Sequence, residues 1–197
     1  MAKEESVVVL PLRIERADVP IVGVTELISH AWSDKAKRMM LDKQMGNPVQ
    51  KKVGKDPEAD YEAAFYRLAD GRPGMPASAF KAAIVGACRL FKGLPMTQIK
   101  TAIRVDGDLI PIEGEPRMRE DMVRLATGVA DIRYRPGFPQ WRAVLPITYV
   151  SSIVTLDQVI NLVDAAGLGG VGEWRPSAPR SFSGTFGCFR VEGKDGL

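Results

Sequence analysis

The sequence predicts an α+β protein: a ferredoxin-like antiparallel sheet in β-α-β-β-α-β order, with two packed helices and a long basic excursion. Three observations lead there. Residues 76–91 and 155–163 repeat apolar side chains at helical spacing behind N-terminal start signals. Short β-branched runs lie before, between and after those two segments. The chain has 197 residues, 45% hydrophobic and 26% charged, the size and balance of one domain around one core. We read a single domain over 1–197, with residues 31–70 inserted as a thumb-like excursion.

Residues 6–15, Ser-Val-Val-Val-Leu-Pro-Leu-Arg-Ile-Glu, read as the first strand, Pro11 placing it at an edge or a bulge. Residues 17–20 turn the chain, and 21–30 return as the second strand of an antiparallel hairpin, with Gly23 marking a bulge or a close backbone approach. Residues 31–44 have helical composition. Residues 45–57 hold Gly46, Asn47, Pro48, Gly54 and Pro57 and few apolar side chains, the pattern of a mobile loop. A short helix over 58–69 presents Tyr61, Phe65 and Leu68, and Asp70-Gly71-Arg72-Pro73-Gly74 ends it.

Pro76 opens the clearest helix of the first half, with Phe80, Ile84, Ala87 and Phe91 on one face and Gly93 as its stop. Residues 99–105 and 109–112 read as strands about Asp106-Gly107-Asp108, a hairpin turn signal. Residues 113–128 are charged and fit no period. Residues 132–150 supply two strands or one bent strand, bent at Pro136, Gly137 and Pro139. Thr155 and Gln158 form a capping box for a helix lined by Leu156, Val159, Ile160 and Val163. The glycine-rich stretch 167–172 leads to a last alternating strand, 185–191, and a frayed tail.

Every apolar run is broken by a charge well short of the roughly 18 residues a membrane span needs, and the N-terminus lacks the apolar core of a signal peptide. Cys88 and Cys188 lie a hundred positions apart, a spacing that makes neither a zinc ribbon nor a disulfide framework. Both read as structural thiols in a reducing, cytoplasmic compartment. Net charge is only +3, too little for bulk charge to announce a nucleic-acid binder. Its distribution says more. Residues 35–55 hold Lys35, Lys37, Arg38, Lys43, Lys51, Lys52 and Lys55 against Asp42 alone. Residues 133–142 hold Arg133, Arg135 and Arg142 without an acid, interleaved with Tyr134, Phe138 and Trp141.

Such interleaving is the composition that strand-tracking grooves use, guanidinium for phosphate and ring for base face, and Trp174-Arg175 repeats it. The other reading of the same residues is a sheet core with solvated arginines. Gly167-Leu168-Gly169-Gly170-Val171-Gly172 fits G-x-G-x-x-G, but it follows a helix and runs into Pro176 and Pro179, whereas a dinucleotide fingerprint follows a strand and opens a helix. It reads instead as a helix C-cap with a tight turn, as a backbone-lined cradle for a nucleic-acid strand, or as both, and no cofactor is expected. His30 is the sole histidine, with Ser33 and Asp34 near it, a commonplace grouping to which no catalytic role is assigned. Glu113, Glu115, Glu120 and Asp121 alternate with Arg117, Arg119 and Arg124 as on a solvated helix or loop, and no metal site is assigned. Walker, Gly-x-Ser-x-Gly and His-Glu-x-x-His strings are absent.

Met75-Pro76-Ala77-Ser78-Ala79-Phe80-Lys81-Ala82 resembles the hydrophobic-Pro-Gly-Ser-Ser-x-Lys-Gly motif that opens the first helix in the RAMP superfamily of CRISPR-associated proteins, especially the backbone subunits that line guide RNA. Gly169-Gly170-Val171-Gly172, continuing to Gly184-Thr185-Phe186-Gly187-Cys188-Phe189, is similar to that superfamily's glycine-rich loop before the last strand. The chain order agrees with its RRM-like core. Ala77 and Ala82 stand where the family has glycine, and residues 173–183 lengthen the loop, so the resemblance is to a distant or phage-encoded member.

The resemblance implies a non-catalytic protein that binds single-stranded RNA or DNA and stacks copies of itself into a homo-oligomer or filament, with residues 35–55 as a thumb over the strand or a neighbour. Counterion release and sequence-tolerant stacking permit this on residue chemistry alone. Lys35, Lys37, Arg38, Lys51 and Lys52 are then the phosphate contacts, joined by Lys81, Arg133, Arg135, Arg142 and Arg175. Trp141 and Trp174 supply rings, and Gly169, Gly170 and Gly172 allow close approach. Two other readings compete: a structural or assembly subunit that meets protein partners, and a metal-independent endoribonuclease using His30 or Asp34.

Overall fold

The computed structural model describes residues 11–48, 54–124, 127–179 and 182–194. In chain order the elements are β1 (Ile14–Gly23), β2 (Leu27–Ile28), α1 (Asp34–Gln44), α2 (Pro57–Ala63), β3 (Tyr66–Arg67), β4 (Pro73–Pro76), α3 (Ala77–Ala87), α4 (Met96–Ala102), β5 (Ile103–Val105), β6 (Leu109–Pro111), β7 (Arg117–Arg124), β8 (Ala130–Phe138), β9 (Arg142–Val150), α5 (Leu156–Gly169) and β10 (Phe189–Val191), with a 3-10 turn at Cys88–Leu90.

Four strands form the main sheet in the order β10-β1-β9-β5, each neighbour antiparallel. In the chain α3 falls between β1 and β5, and α5 between β9 and β10. Taken as β1-α3-β5-β9-α5-β10, this is the ferredoxin-like arrangement that the sequence predicts. The packing follows from periodicity. Ala143, Leu145, Ile147 and Tyr149 of β9 are buried, while the residues between them point the other way. Phe80, Ile84 and Ala87 of α3 and Val159, Leu162, Val163 and Ala166 of α5 close the core from one side. The capping box at Thr155 and Gln158 is present as read.

Several elements differ from the sequence reading, each for a physical reason. The expected hairpin over 6–30 is one continuous strand from residue 14, and residues 6–10 of the expected first strand lie outside the described residues. Pro20 does not break it. The Glu192 N–H donates to the Pro20 carbonyl at 2.9 Å, so the side of Pro20 that lacks a donor faces the end of the short β10, where no ladder bond is lost. The helix expected over 58–69 stops at Ala63, because Phe65 turns in between Tyr61 and Phe138 and Tyr66–Arg67 pair with β4. Phe91 is 41% exposed, the chain having left the α-helical path after Ala87.

Residues 96–102 are helical, not extended, with Ile99 and Ala102 buried one turn apart. Asp106-Gly107-Asp108 joins two sheets instead of making a hairpin: β5 pairs with β9, and β6 pairs with β4. The uninterpretable stretch 113–128 contributes β7, which forms a long antiparallel hairpin with β8. The last strand is shorter than 185–191, since the backbone of residues 187 and 188 bonds instead to Thr25 and Glu26.

The described parts of 24–72 and 106–141 thus form two excursions from the main sheet that still give Leu27, Phe65, Phe138 and Trp141 to the core, and they meet: β2 of the first pairs with β8 of the second in the sheet β2-β8-β7. Among the described residues no helix is long and apolar enough to cross a membrane.

Candidate nucleic-acid interface

Ser33 starts α1, its hydroxyl oxygen accepting from the Ala36 N–H at 3.2 Å, and Asp34 in the first turn and Lys43 in the last both suit the helix dipole. None of the α1 residues is buried. Lys35, Lys37, Arg38 and Lys43 stand in solvent among the exposed Met39, Met40 and Leu41. Just before the cap, Trp32 is 55% exposed, and the Lys37 ammonium lies 6.0 Å from its ring centre. Sequence reasoning missed Trp32, although its signal was the one applied to residues 133–142: an aromatic ring within a run of cations. Lys51 and Lys52 lie outside the described residues. Lys55 is engaged within the fold, paired with Asp131 at 2.9 Å.

The second basic stretch is divided by the fold. Arg133 and Arg135 sit on β8 in one sheet, whereas Arg142 opens β9 in another and pairs with Glu192 at 3.3 Å. Arg135 is 1% exposed: its guanidinium binds Asp121 at 2.8 Å and Glu173 at 3.3 Å and stacks 4.4 Å from the Trp174 ring. Arg119 binds Asp121 from the other side and also Glu26, which Arg117 reaches too. Burial pushes the Asp121 carboxyl up, but the hydrogen bonds and charge of Arg119 and Arg135 outweigh it and hold its pKa below the ordinary range. The interleaved acids and arginines, expected on a solvated helix or loop, are therefore partly an ion-pair network that ties β7 and β8 to Glu26, just before β2, and to Glu173 in the loop after α5. Arg135 has no free guanidinium to offer a phosphate.

Trp141 is also corrected. Its indole is 2% exposed, donates to the Thr25 carbonyl at 2.9 Å and packs on Phe189, so it presents no face to a base. Trp174 lies half-buried between Arg135 and Phe186, and Arg175 donates to the Gly172 carbonyl at 2.8 Å. The glycine run makes its close approach to the protein's own chain. Gly170 caps α5, Gly172 lies against the Ile28 carbonyl with φ of 79°, and the Val171 N–H donates to Gly187. Gly169 sits in the last turn of α5, beside Ser177. These positions act as the helix cap and tight turn, and the backbone that was to cradle a strand cradles β2 and residues 186–187. Lys81 is half-exposed on α3.

His30 is half-buried, with Nδ1 3.4 Å from Arg133 Nη1. Burial holds its pKa below the ordinary value; Glu173 pulls it up, while Arg133 and Arg135 add to the downward shift. Asp34 binds Lys37 at 2.9 Å, and that hydrogen bond lowers its pKa. The two residues of the ribonuclease reading are thus engaged with different partners.

No protein-family profile matches the sequence, and no curated protein matches it. Among solved structures the chain is similar to Cmr6 from Pyrococcus furiosus, at 10% identity and a TM-score of 0.46, with 92% of this chain and 100% of that one covered. A likeness at that level assigns neither family nor function.

Proposed function

We propose that the protein binds single-stranded nucleic acid without catalysing a reaction, that α1 and the ring of Trp32 form the contact surface, and that copies line up along the strand. The observation that carries this reading is α1 itself. A surface helix normally hides an apolar stripe against its domain; α1 hides none and gathers Lys35, Lys37, Arg38 and Lys43 beside an exposed indole. Cations for phosphate and a ring for bases are what sequence-tolerant strand binding requires. The RAMP-like motifs in the sequence point the same way. Arg133, Arg142, Arg175 and Lys81 extend this surface only where their guanidinium or ammonium groups reach solvent, and Arg135, Trp141 and the glycines belong to the scaffold.

The test is fluorescence anisotropy with labelled single-stranded RNA and DNA across a salt series. Four cations on phosphate give a slope of log affinity against log salt near −3 for single strands, taking about −0.7 per contact. Trp32→Ala is expected to weaken binding roughly 5- to 150-fold, in line with about 1–3 kcal/mol per stacked base. The triple variant Lys35→Glu, Lys37→Glu, Arg38→Glu removes the salt-sensitive binding while leaving the melting transition in place, since α1 buries nothing. Wild-type protein that ignores both oligonucleotides at low salt, or a triple variant that binds like wild type, overturns the proposal. The ratio of RNA to DNA affinity names the strand.

A further inference from the structure

The face of the main sheet turned away from α3 and α5 stays in solvent: Ile14 is 64% and Val144 48% exposed, and Arg16, Asp18 and Pro20 are exposed as well. Arg16 and Asp18 occupy its middle, and the apolar Ile14, Val150, Pro20 and Val144 lie at its two ends. Among the described residues Arg16 and Asp18 form no ion pair; they border a shallow depression of about 290 Å³ shared with Asp106 and Pro146.

We propose that two copies of this chain pair through that face, under one two-fold axis that crosses β1 at Ala17 and β9 at Ile147. The registers carry the argument. Ile14 lies opposite Val150, Arg16 opposite Thr148, Asp18 opposite Pro146 and Pro20 opposite Val144. On the neighbouring strand Arg104 is level with Thr148, and the Asp106 N–H donates to the Pro146 carbonyl. An axis lying in the interface and perpendicular to the strands keeps each strand over its own copy and inverts this ladder end for end. Arg16 then meets the partner's Asp18, and the Arg104–Asp106 ion pair of each copy lies over the same pair inverted in its partner. Ile14 meets the partner's Pro20, and Val150 the partner's Val144. Charges and apolar side chains are both self-complementary under the same axis, as an isologous interface demands.

The area suits a reversible pair. Seven residues on each of β1 and β9 and three on β5, each covering about 3.3 Å by 4.8 Å, give a flat footprint of roughly 270 Å² per copy. Both copies together bury roughly 540 Å² before side-chain relief is counted, below the roughly 1,000 Å² floor of stable interfaces and in the range of weak, transient ones. The pairing stands apart from the nucleic-acid reading and needs no strand.

Sedimentation velocity of the full chain without nucleic acid tests it, in a series up to about 200 µM, where a pair with a Kd of about 100 µM still puts more than half of the chains in dimers. A concentration-dependent monomer–dimer equilibrium is expected. Arg16→Asp and Asp18→Arg, both at exposed positions and with unchanged melting, each weaken it at least about tenfold, the loss of two charge pairs per dimer. An equimolar mixture of the two variants recovers wild-type association, because one copy then carries acid at both positions and the other base at both. Wild-type protein that stays monomeric throughout overturns the proposal, as does a mixture no better than its components. Loss of oligonucleotide binding in Arg16→Asp, with no dimer in wild type, assigns the face to a strand instead.

Discussion

Gly86 and Gly167 both sit within helices, and alanine at each is expected to move stability in opposite directions. Alanine is favoured over glycine in a helix interior by about 1 kcal/mol, chiefly through backbone entropy. A methyl group at Gly86 of α3 meets nothing within 4 Å, so Gly86→Ala keeps that gain. For a chain of this size it corresponds to a rise of about 2–4 °C in the melting midpoint. At Gly167 of α5 the same methyl runs into the Phe189 carbonyl of β10, a backbone atom that cannot swing aside, with the Phe189 ring 3.2 Å away.

Gly167→Ala must push α5 off β10, an overpacking cost of about 3 kcal/mol at the upper end of the usual range. Set against the helix gain, the net loss is about 2 kcal/mol, a drop of roughly 4–8 °C. Thermal and urea unfolding followed by circular dichroism at pH 7 would measure both. A Gly167→Ala protein as stable as wild type would show that α5 and β10 do not approach as closely as described, and a destabilised Gly86→Ala protein would refute the helix argument itself.

Two further substitutions probe the network and the cap. Arg135→Ala leaves Asp121 with Arg119 alone in a buried setting and is expected to cost about 3 kcal/mol near pH 7. Because the folded-state pKa of Asp121 is depressed, its contribution is complete above the unfolded value near 3.9 and is lost as pH falls through the folded pKa. The gap between variant and wild type therefore closes below about pH 4, and a gap independent of pH would contradict the ion-pair account. Thr155→Ala removes the capping box of α5 and is expected to cost about 1 kcal/mol in urea unfolding, with Thr155→Ser restoring most of it; equal losses in the two variants would rule out a capping role.

The helices α3 and α5 were legible because their information is local: Phe80, Ile84 and Ala87 recur at helical spacing, and Thr155 and Gln158 lie three residues apart. The candidate interface was legible in part for the same reason, since Lys35, Lys37 and Arg38 follow one another on a helix whose cap, Ser33, is also in view. Trp141 misled because a tryptophan among arginines looks alike whether it faces solvent or packs on Phe189, and only the arrival of β10 from 48 residues away decides. Arg135 misled in the same way, its partners Asp121 and Glu173 lying 14 and 38 residues distant.

Periodicity, caps and turn residues act over three or four positions, so the chain's own order of letters was enough for the α+β class, the two packed helices and a basic first excursion. Which charges stay in water was decided only by folding. The contacts from Arg117 and Arg119 to Glu26 span 91 and 93 residues, and the pairing of β2 with β8 that permits them joins two excursions that no local rule relates. Coulomb energy and burial depend on distance in space, and distance in space is set by strand partners, so a run of arginines became half scaffold while α1, none of whose residues is buried, kept its charges in water.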